Sequence, residues 1–209
     1  MSTPRVSPQS ADRRRLIADT AIDLVAAAGL RGLTHRAVDG AARLPAGSTS
    51  YYFRTRAALI GACYQRLAEL DLGDVDGESP PALPIVDRET AATALAGLLY
   101  RWLTVGRERQ LARFELSLEA ARNPALEADF RQAGKGPRAR AAGILAALGA
   151  ERPDEAAELL VAWTDGLLYD RLAGALARSR PAPDPAELAS VARRMIDAAL
   201  AHPGQGAGV

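Results

Sequence analysis

The chain has 209 residues and a formal net charge of +1, and 48% of its residues are hydrophobic but only 5% are aromatic. Alanine (45) and leucine (28) dominate, a composition that favours helices over strands. No apolar run reaches the roughly 18 residues that cross a bilayer, the single cysteine excludes an internal disulfide, and two histidines argue against a histidine-rich metal site.

The charge is unevenly distributed along the chain. Residues 1–60 hold nine arginines and four aspartates, which gives 9 − 4 = +5, and residues 61–209 hold 17 basic and 21 acidic residues, which gives 17 − 21 = −4. A basic head on an acidic body predicts that the head binds a polyanion. An imbalance of this size also arises by chance.

The first predicted elements are an arm and a helix. Residues 1–10 contain Pro4 and Pro8 and no helical periodicity, so they predict a flexible arm. Their polar composition is unlike a signal peptide, and we therefore expect a cytoplasmic protein. Apolar residues at helical spacing predict a first helix over 11–28, with Gly29 as its C-cap.

Three shorter helices follow, each introduced by a local signal. Thr34 is a good N-cap for a helix over 35–42, and a Leu-Pro-Ala-Gly stretch then breaks the chain. The polar and aromatic residues that follow predict a short third helix from Ser48 to Phe53. Thr55 is the N-cap of a fourth helix over 56–71, whose apolar face includes Cys63. We interpret Cys63 as a buried hydrophobic residue rather than a redox switch.

The remainder of the chain is predicted to be a linker, a helical body and a tail. Glycine, proline and acidic residues mark 72–86 as a linker. The tail 202–209 is glycine-rich and is expected to be disordered. The predicted body helices are 88–105, capped by Asp87, then 108–121, then one from Pro124 that breaks at Gly134–Pro137 before 138–148, then 154–178, and a last one to about 201 that is capped by Asp184.

The first three helices have the plan of a helix-turn-helix, whose last helix enters the major groove. Small hydrogen-bonding side chains suit contacts with base edges, and cations and hydroxyls suit phosphates. Phe53 is predicted to pack the third helix on the first two. Arg5 and Arg13–Arg15 are predicted to add contacts with phosphates or with the minor groove. The predicted DNA-binding residues are Thr34, His35, Arg36, Ser48, Thr49, Ser50, Tyr51, Tyr52, Arg54 and Arg56.

The motif that carries a family resemblance lies in the same segment. Leu33-Thr34, Ala41-Ala42 and the run LPAGSTSYYFRTRAAL at 44–59 resemble the DNA-binding domain of TetR-family transcriptional regulators, over about residues 11–60. The sequence departs from the family pattern at three positions. Arg43 stands where the family often has glycine, Ser50 where it often has tyrosine, and Arg56 where it often has lysine. These departures affect the operator sequence and the contacts rather than the fold.

The resemblance implies an all-α protein with an N-terminal DNA-binding domain (11–60) and a larger C-terminal domain (61–201) that binds an effector and dimerises. It implies a homodimer formed by the last two long helices, and so a near-palindromic operator in double-stranded DNA. The alternative is that both apolar stripes are buried within one subunit. The candidate interface residues are Leu160, Leu167, Leu188, Val191 and Met195.

The resemblance also implies an effector pocket inside the body. Its candidates are side chains with a polar or aromatic group on otherwise apolar helices: Tyr100, Trp102, Phe114, Trp163, Asp165 and Tyr169. The alternatives are that the aromatic residues belong to the core and that Asp165 pairs with an arginine such as Arg113.

The predicted function is a sequence-specific regulator of transcription, a repressor that releases its operator when an unidentified small molecule binds. We expect no catalysis, no cofactor and no metal, because His35 lies beside Arg36, His202 lies in the tail, and no phosphate loop or nucleophile motif occurs. One alternative is a helical protein-binding adaptor with a vestigial DNA-binding head. Another is an activator, or a regulator without a ligand.

Overall fold

The computed structural model describes residues 8–76 and 87–201, and all regular elements in these ranges are helical. The predicted all-α class is confirmed. No helix in the two described ranges has the length and hydropathy to cross a membrane. The helices are α1 (Pro8–Gly32), α2 (His35–Ala41), α3 (Ser48–Tyr52), α4 (Arg56–Asp76), α5 (Arg88–Leu103), α6 (Arg107–Arg122), α7 (Pro124–Ala147), α8 (Pro153–Leu172) and α9 (Pro185–Ala201), with a short 3-10 helix at Ala177–Ser179.

The helix starts agree with the predicted N-caps. The side chain of Thr34 accepts a hydrogen bond from the Ala37 N–H (3.0 Å), and that of Thr55 accepts one from the Ala58 N–H (3.1 Å). Asp87 caps α5 and Asp184 caps α9 in the same way. These bonds satisfy amide groups that have no partner inside the helix, so the cap residue fixes where each helix begins.

Two helix ends differ from their predictions. Gly29 breaks α1 as expected, with φ +67°, but one more helical turn follows it as far as Gly32. Residues 72–76 are helical rather than linker, because α4 continues to Asp76. The carboxylate of Asp76 is bound by Arg140 at 2.7 Å, which helps to hold this last turn. Residues 8–10 of the predicted arm are helical rather than flexible, because α1 begins at Pro8. The other arm residues 1–7, the predicted linker residues 77–86 and the tail 202–209 lie outside the described residues.

The predicted break at Gly134–Pro137 is wrong, since α7 is continuous with Pro137 inside it. Proline lacks the N–H that bonds to the preceding turn, but buried side chains on both sides outweigh that loss. Leu126 and Leu145 are both fully buried. The Arg138 guanidinium, next to the proline, also donates to the Gly134 carbonyl one turn earlier (3.2 Å).

The predicted end of the eighth helix at residue 178 is also wrong, since α8 ends at Leu172. The N–H groups of Ala173 and Gly174 both bond to the Tyr169 carbonyl (2.8 and 2.9 Å), which closes the helix. A Cβ atom at Gly174 would lie 2.5 Å from the Asp170 carbonyl oxygen. The tight turn therefore requires glycine at this position.

The chain forms two compact units that do not follow chain order. Within the described residues, the first contains 8–67 and 111–133, and the second contains 68–76, 87–110 and 134–201. The second unit has a core from α5, α7, α8 and α9 in which alanine is frequent, so the helices approach closely. The buried members of this core are Ala91, Ala92, Ala142, Leu145, Ala156, Ala157, Leu160, Met195, Ile196 and Ala199.

The first unit includes the end of α6 and the start of α7 as well as α1, α2 and α3. The Glu115 carboxylate accepts a hydrogen bond from the Leu30 N–H (2.6 Å), just after the break in α1. The Tyr64 hydroxyl on α4 donates to the Leu116 carbonyl (2.9 Å). The Tyr64 ring meets Phe130 edge-on, with 5.1 Å between centroids. Residues 111–133 are therefore tied to both α1 and α4.

Candidate nucleic-acid interface

The turn between α2 and α3 has two residues in the left-handed region. The Arg43 N–H bonds to the Gly40 carbonyl (3.2 Å) and the Leu44 N–H to the Asp39 carbonyl (2.8 Å). This pair of bonds is a Schellman motif, with Arg43 (φ +53°) at the position that glycine usually occupies. Gly47 (φ +88°) precedes α3. Arg43 is the non-glycine residue with positive φ in the described part of the chain, so its backbone is strained.

The start of α3 is held by a buried carboxylate that the sequence analysis did not anticipate. Asp39 on α2 is 5% exposed. One of its oxygens accepts from the Gly47 N–H (2.8 Å), and the other accepts from the Thr49 N–H (2.7 Å) and hydroxyl (2.6 Å). Burial alone would raise the pKa of Asp39, but the Thr49 and Gly47 hydrogen bonds and the charge of His35 outweigh it, and the pKa lies below its usual value.

The end of α3 is held by two basic side chains. The His35 Nε2 lies 2.7 Å from the Phe53 carbonyl oxygen, and the Arg14 guanidinium donates to the Tyr52 carbonyl (3.3 Å). The same guanidinium lies over the rings of Tyr52 (5.5 Å) and Phe53 (5.3 Å). Phe53 is buried, as predicted for the residue that packs α3. The Arg14 guanidinium thus lies at the C-terminal end of a helix, where cations are favoured, and His35 contacts the same end.

A polar face of α3 and its neighbours remains exposed. Tyr51 is 80% exposed and meets Tyr52 edge-on, with 5.1 Å between ring centroids. Ser50 is exposed, and so are Arg36 on α2 and Arg54 just after α3. The Thr34 side chain caps α2, and the Ser48 hydroxyl donates to the Pro45 carbonyl (2.6 Å). Ser50, Tyr51, Arg36 and Arg54 are the predicted contacts that the structure leaves available.

Three predicted contacts are placed differently from the expectation. Thr49 is fully buried against Asp39, so the expectation that it touches a base edge is wrong. A five-residue helix has too few residues for periodicity to show which side is buried. The Arg56 guanidinium donates to the Leu33 and Leu30 carbonyls at the end of α1. Arg56 and His35 therefore hold the protein backbone, and a phosphate contact by either stays a prediction.

The predicted dimer residues divide into two groups. Leu160, Leu188 and Met195 are 9%, 0% and 8% exposed in the single chain. They belong to the core of the second unit, which is the alternative that the sequence left open, and they have little surface to offer a partner. Leu167 and Val191 are half-buried. The apolar stripes of α8 and α9 are therefore mainly core stripes.

The six predicted pocket residues are not gathered into one buried group. Tyr100, Trp163 and Tyr169 are 41%, 37% and 48% exposed. Phe114 belongs to the first unit, half-buried beside the Arg113 guanidinium (4.6 Å from the ring centroid), whereas the other five belong to the second. Asp165 is half-buried. Trp102 is the one of the six that is buried.

Trp102 belongs to a polar network that the sequence analysis did not anticipate. Its Nε1 donates to the Asp74 carboxylate (2.8 Å), which Arg101 also binds through Nε (2.9 Å). Arg109 binds the same carboxylate and lies 3.5 Å from Asp71. The Asp74 side chain is 3% exposed, so these partners are needed to stabilise its charge. Both aspartates lie at or beside the segment whose composition resembled a linker.

Comparison with known proteins gives a consistent set of relatives. The family model described as tetracyclin repressor-like, C-terminal domain, matches residues 86–201. A structure of a TetR-family member from Streptomyces coelicolor is 30% identical, covers 88% of this chain and 98% of its own, and has a TM-score of 0.66. The multidrug binding protein EbrR complexed with ethidium is 30% identical over the same shares, with a TM-score of 0.65. A putative TetR-family transcriptional regulator from Rhodococcus sp. is 19% identical and shares the fold, covering 91% of this chain and 100% of its own at a TM-score of 0.70. None of the curated proteins compared matches the chain.

Proposed function

Because the chain belongs to the TetR family of transcriptional regulators, we propose that it is a homodimeric repressor whose α3 binds the major groove of double-stranded DNA. The observation that carries the proposal is the exposed polar face around Ser50 and Tyr51, flanked by Arg36 and Arg54. Neither of these guanidinium groups forms a hydrogen bond or ion pair within the described residues. Both are therefore available to phosphates.

The exposed residues have different proposed roles. Ser50 and Tyr51 contact base edges, because they project from the exposed side of α3. Arg36 and Arg54 contact phosphates on either side, which gives affinity but carries little sequence information. In a two-fold dimer the two copies of α3 meet successive faces of the major groove, and the operator is near-palindromic.

The proposed dimer contact lies on the outward side of the last helices. Trp163 and Tyr169 are exposed on α8, and Leu167 and Val191 are half-buried on α8 and α9. Large aromatic side chains that are exposed in one chain suit the centre of an interface. This assignment moves Trp163 and Tyr169 from the predicted pocket to the predicted interface.

The body (61–201) is proposed to bind a small organic molecule and to release DNA as a result. The relative EbrR has been solved in complexes with ethidium, proflavin and malachite green. We take these compounds as the first probes. Release requires that the effector binds the DNA-free conformation better than the DNA-bound one by a few kcal/mol. The proposed function includes no catalytic step.

The DNA proposal is tested by selecting genomic fragments with the purified full chain at moderate salt. We expect enrichment of one near-palindromic sequence. Arg36→Ala and Arg54→Ala should each weaken binding to all DNA. Each should also reduce the salt slope, which is the slope of log affinity against log salt concentration, by about one for each half-site. Ser50→Ala should change the preference between operators instead. Arg178→Ala is the matched control, because Arg178 is an exposed arginine outside this face.

The outcomes separate the candidate functions. A chain that retains no DNA even at low salt favours the adaptor, with its α3 inactive. Equal losses on operator and random DNA for every variant contradict the division of roles between Ser50 and the two arginines.

In the test of release, ligand binding to the protein must be separated from ligand binding to DNA, because ethidium and proflavin also intercalate into DNA. Binding is therefore measured first on the protein alone, by quenching of tryptophan fluorescence. Release is then measured at a ligand concentration that leaves the melting temperature of free operator DNA unchanged. Operator affinity that stays constant in the presence of bound ligand contradicts the release scheme for that ligand.

A further inference from the structure

The helix proposed to read DNA is too short to hold its own conformation. α3 contains five residues, whereas isolated helices shorter than about 12 residues are marginal in water. Its position must come from the side chains that hold its ends. Asp39 holds the start, and Arg14 and His35 hold the end.

The contact at the start of α3 has the more demanding chemistry. Both oxygens of Asp39 are used, and they accept three hydrogen bonds from Gly47 and Thr49. A buried carboxylate is stable only when such donors surround it. The amide groups at the start of a helix, in turn, have no partner inside the helix. The two requirements satisfy each other here, so the Asp39 carboxylate fixes where the first turn of α3 lies.

Asp39 is buried, but it binds the residue that precedes Ser50 and Tyr51, which are proposed to contact base edges. Thr49, which it binds through backbone and hydroxyl, directly precedes Ser50 and Tyr51. Successive residues of an α-helix are about 100° apart around its axis, so a small rotation at Thr49 redirects both side chains. We propose that Asp39 is a positioning residue for DNA recognition, which sets the orientation of α3 and hence operator affinity without touching DNA. This inference rests on the proposed function.

The first variant is Asp39→Asn, which keeps the shape but replaces one acceptor oxygen by an NH2 group. In either orientation of the amide, this NH2 faces a backbone N–H, of Gly47 or of Thr49. A lost hydrogen bond to a charged group corresponds to a loss of about tenfold or more in an equilibrium constant. We therefore expect operator affinity to fall about tenfold or more. The slope of log affinity against log salt should stay unchanged, because no phosphate contact is removed.

The second experiment separates positioning from stability. Asp39→Ala leaves the Thr49 hydroxyl buried without a partner, whereas Asp39→Ala combined with Thr49→Val removes both buried polar groups. The double variant should recover melting temperature relative to Asp39→Ala. Its operator affinity should stay reduced, because the amide groups of Gly47 and Thr49 still lack their acceptor.

The matched control is Asp87→Ala, which removes a cap of the same kind from α5, where Asp87 accepts from the Thr90 N–H at 2.7 Å. This variant should bind the operator like the wild type at a temperature well below its unfolding transition. Wild-type affinity in Asp39→Asn, or affinity that recovers together with melting temperature in the double variant, would overturn the inference. An equal loss of affinity in Asp87→Ala would also overturn it. Absence of specific binding by the wild type would overturn the proposed function instead.

Discussion

Replacing Arg43 by glycine should stabilise the protein, although it removes a whole side chain. Arg43 has φ +53° in the turn before α3, a conformation that costs about 1–2 kcal/mol for an L-residue other than glycine. Glycine removes this strain but loses about 0.5–1 kcal/mol more conformational entropy on folding. The expected net gain is about 0.5–1 kcal/mol in the free energy of unfolding, or about 1–4 °C in melting temperature for a chain of this size.

The measurement is thermal unfolding followed by circular dichroism, with two variants that isolate the strain. Arg43→Ala keeps the strained backbone and shortens the side chain, so its melting temperature should stay close to that of the wild type. Gly47→Ala should lower the melting temperature, because Gly47 has φ +88°, a conformation that is strained for a residue with a Cβ. A Cβ there would meet no atom within 4 Å, so backbone strain alone would account for the loss. A decrease in melting temperature in Arg43→Gly, with no change in Arg43→Ala, would refute the strain argument.

Three further predictions concern single groups. Burial, with the charge of Asp19, raises the pKa of the Cys63 thiol to about 12, so iodoacetamide at pH 8 should react far more slowly with the native protein than in urea, and equal rates would contradict this burial. The folded-state pKa of Asp39 is lowered, so its contribution to stability is present above about pH 4 and is lost as pH falls further; acid titration should show a smaller loss in Asp39→Asn than in the wild type. Gly174→Ala should lower the melting temperature, because the added Cβ would lie 2.5 Å from the Asp170 carbonyl oxygen, and an unchanged value would show that the turn can move.

The sequence predicted helix starts better than helix ends, for a physical reason. A helix start depends on one cap residue and the amide groups two or three residues later, as at Thr34 and Asp87. Those signals are local and are visible in the sequence. The continuation of α7 through Pro137 depends on the burial of Leu126 and Leu145, which lie more than seven residues away on either side. No window around the proline contains that information.

The candidate site could be located from its motif but not assigned residue by residue. The sequence correctly predicts a short helix from Ser48 after a tight turn, and the structure ends it one residue before the predicted Phe53. In a helix of seven residues, the sequence alone does not distinguish a buried polar side chain, such as that of Asp39, from a solvated one. Thr49 was assigned to the exposed side for the same reason. Each error follows from a contact between residues that are ten positions apart, where local periodicity carries no signal.

The number of arginines in the first 60 residues exceeds the number of phosphate contacts that we propose. Nine arginines lie in this segment, but Arg14 and Arg56 donate to backbone carbonyls of their own chain. If every one of the nine neutralised a phosphate in each subunit, the salt slope of a dimer would be about −16, whereas Arg36 and Arg54 alone give about −4. The basic composition of the head therefore serves two purposes. Arg36 and Arg54 are proposed to bind phosphate, whereas Arg14 and Arg56 hold the end of α3 and the end of α1. The exposed side chains are thereby presented in a defined orientation.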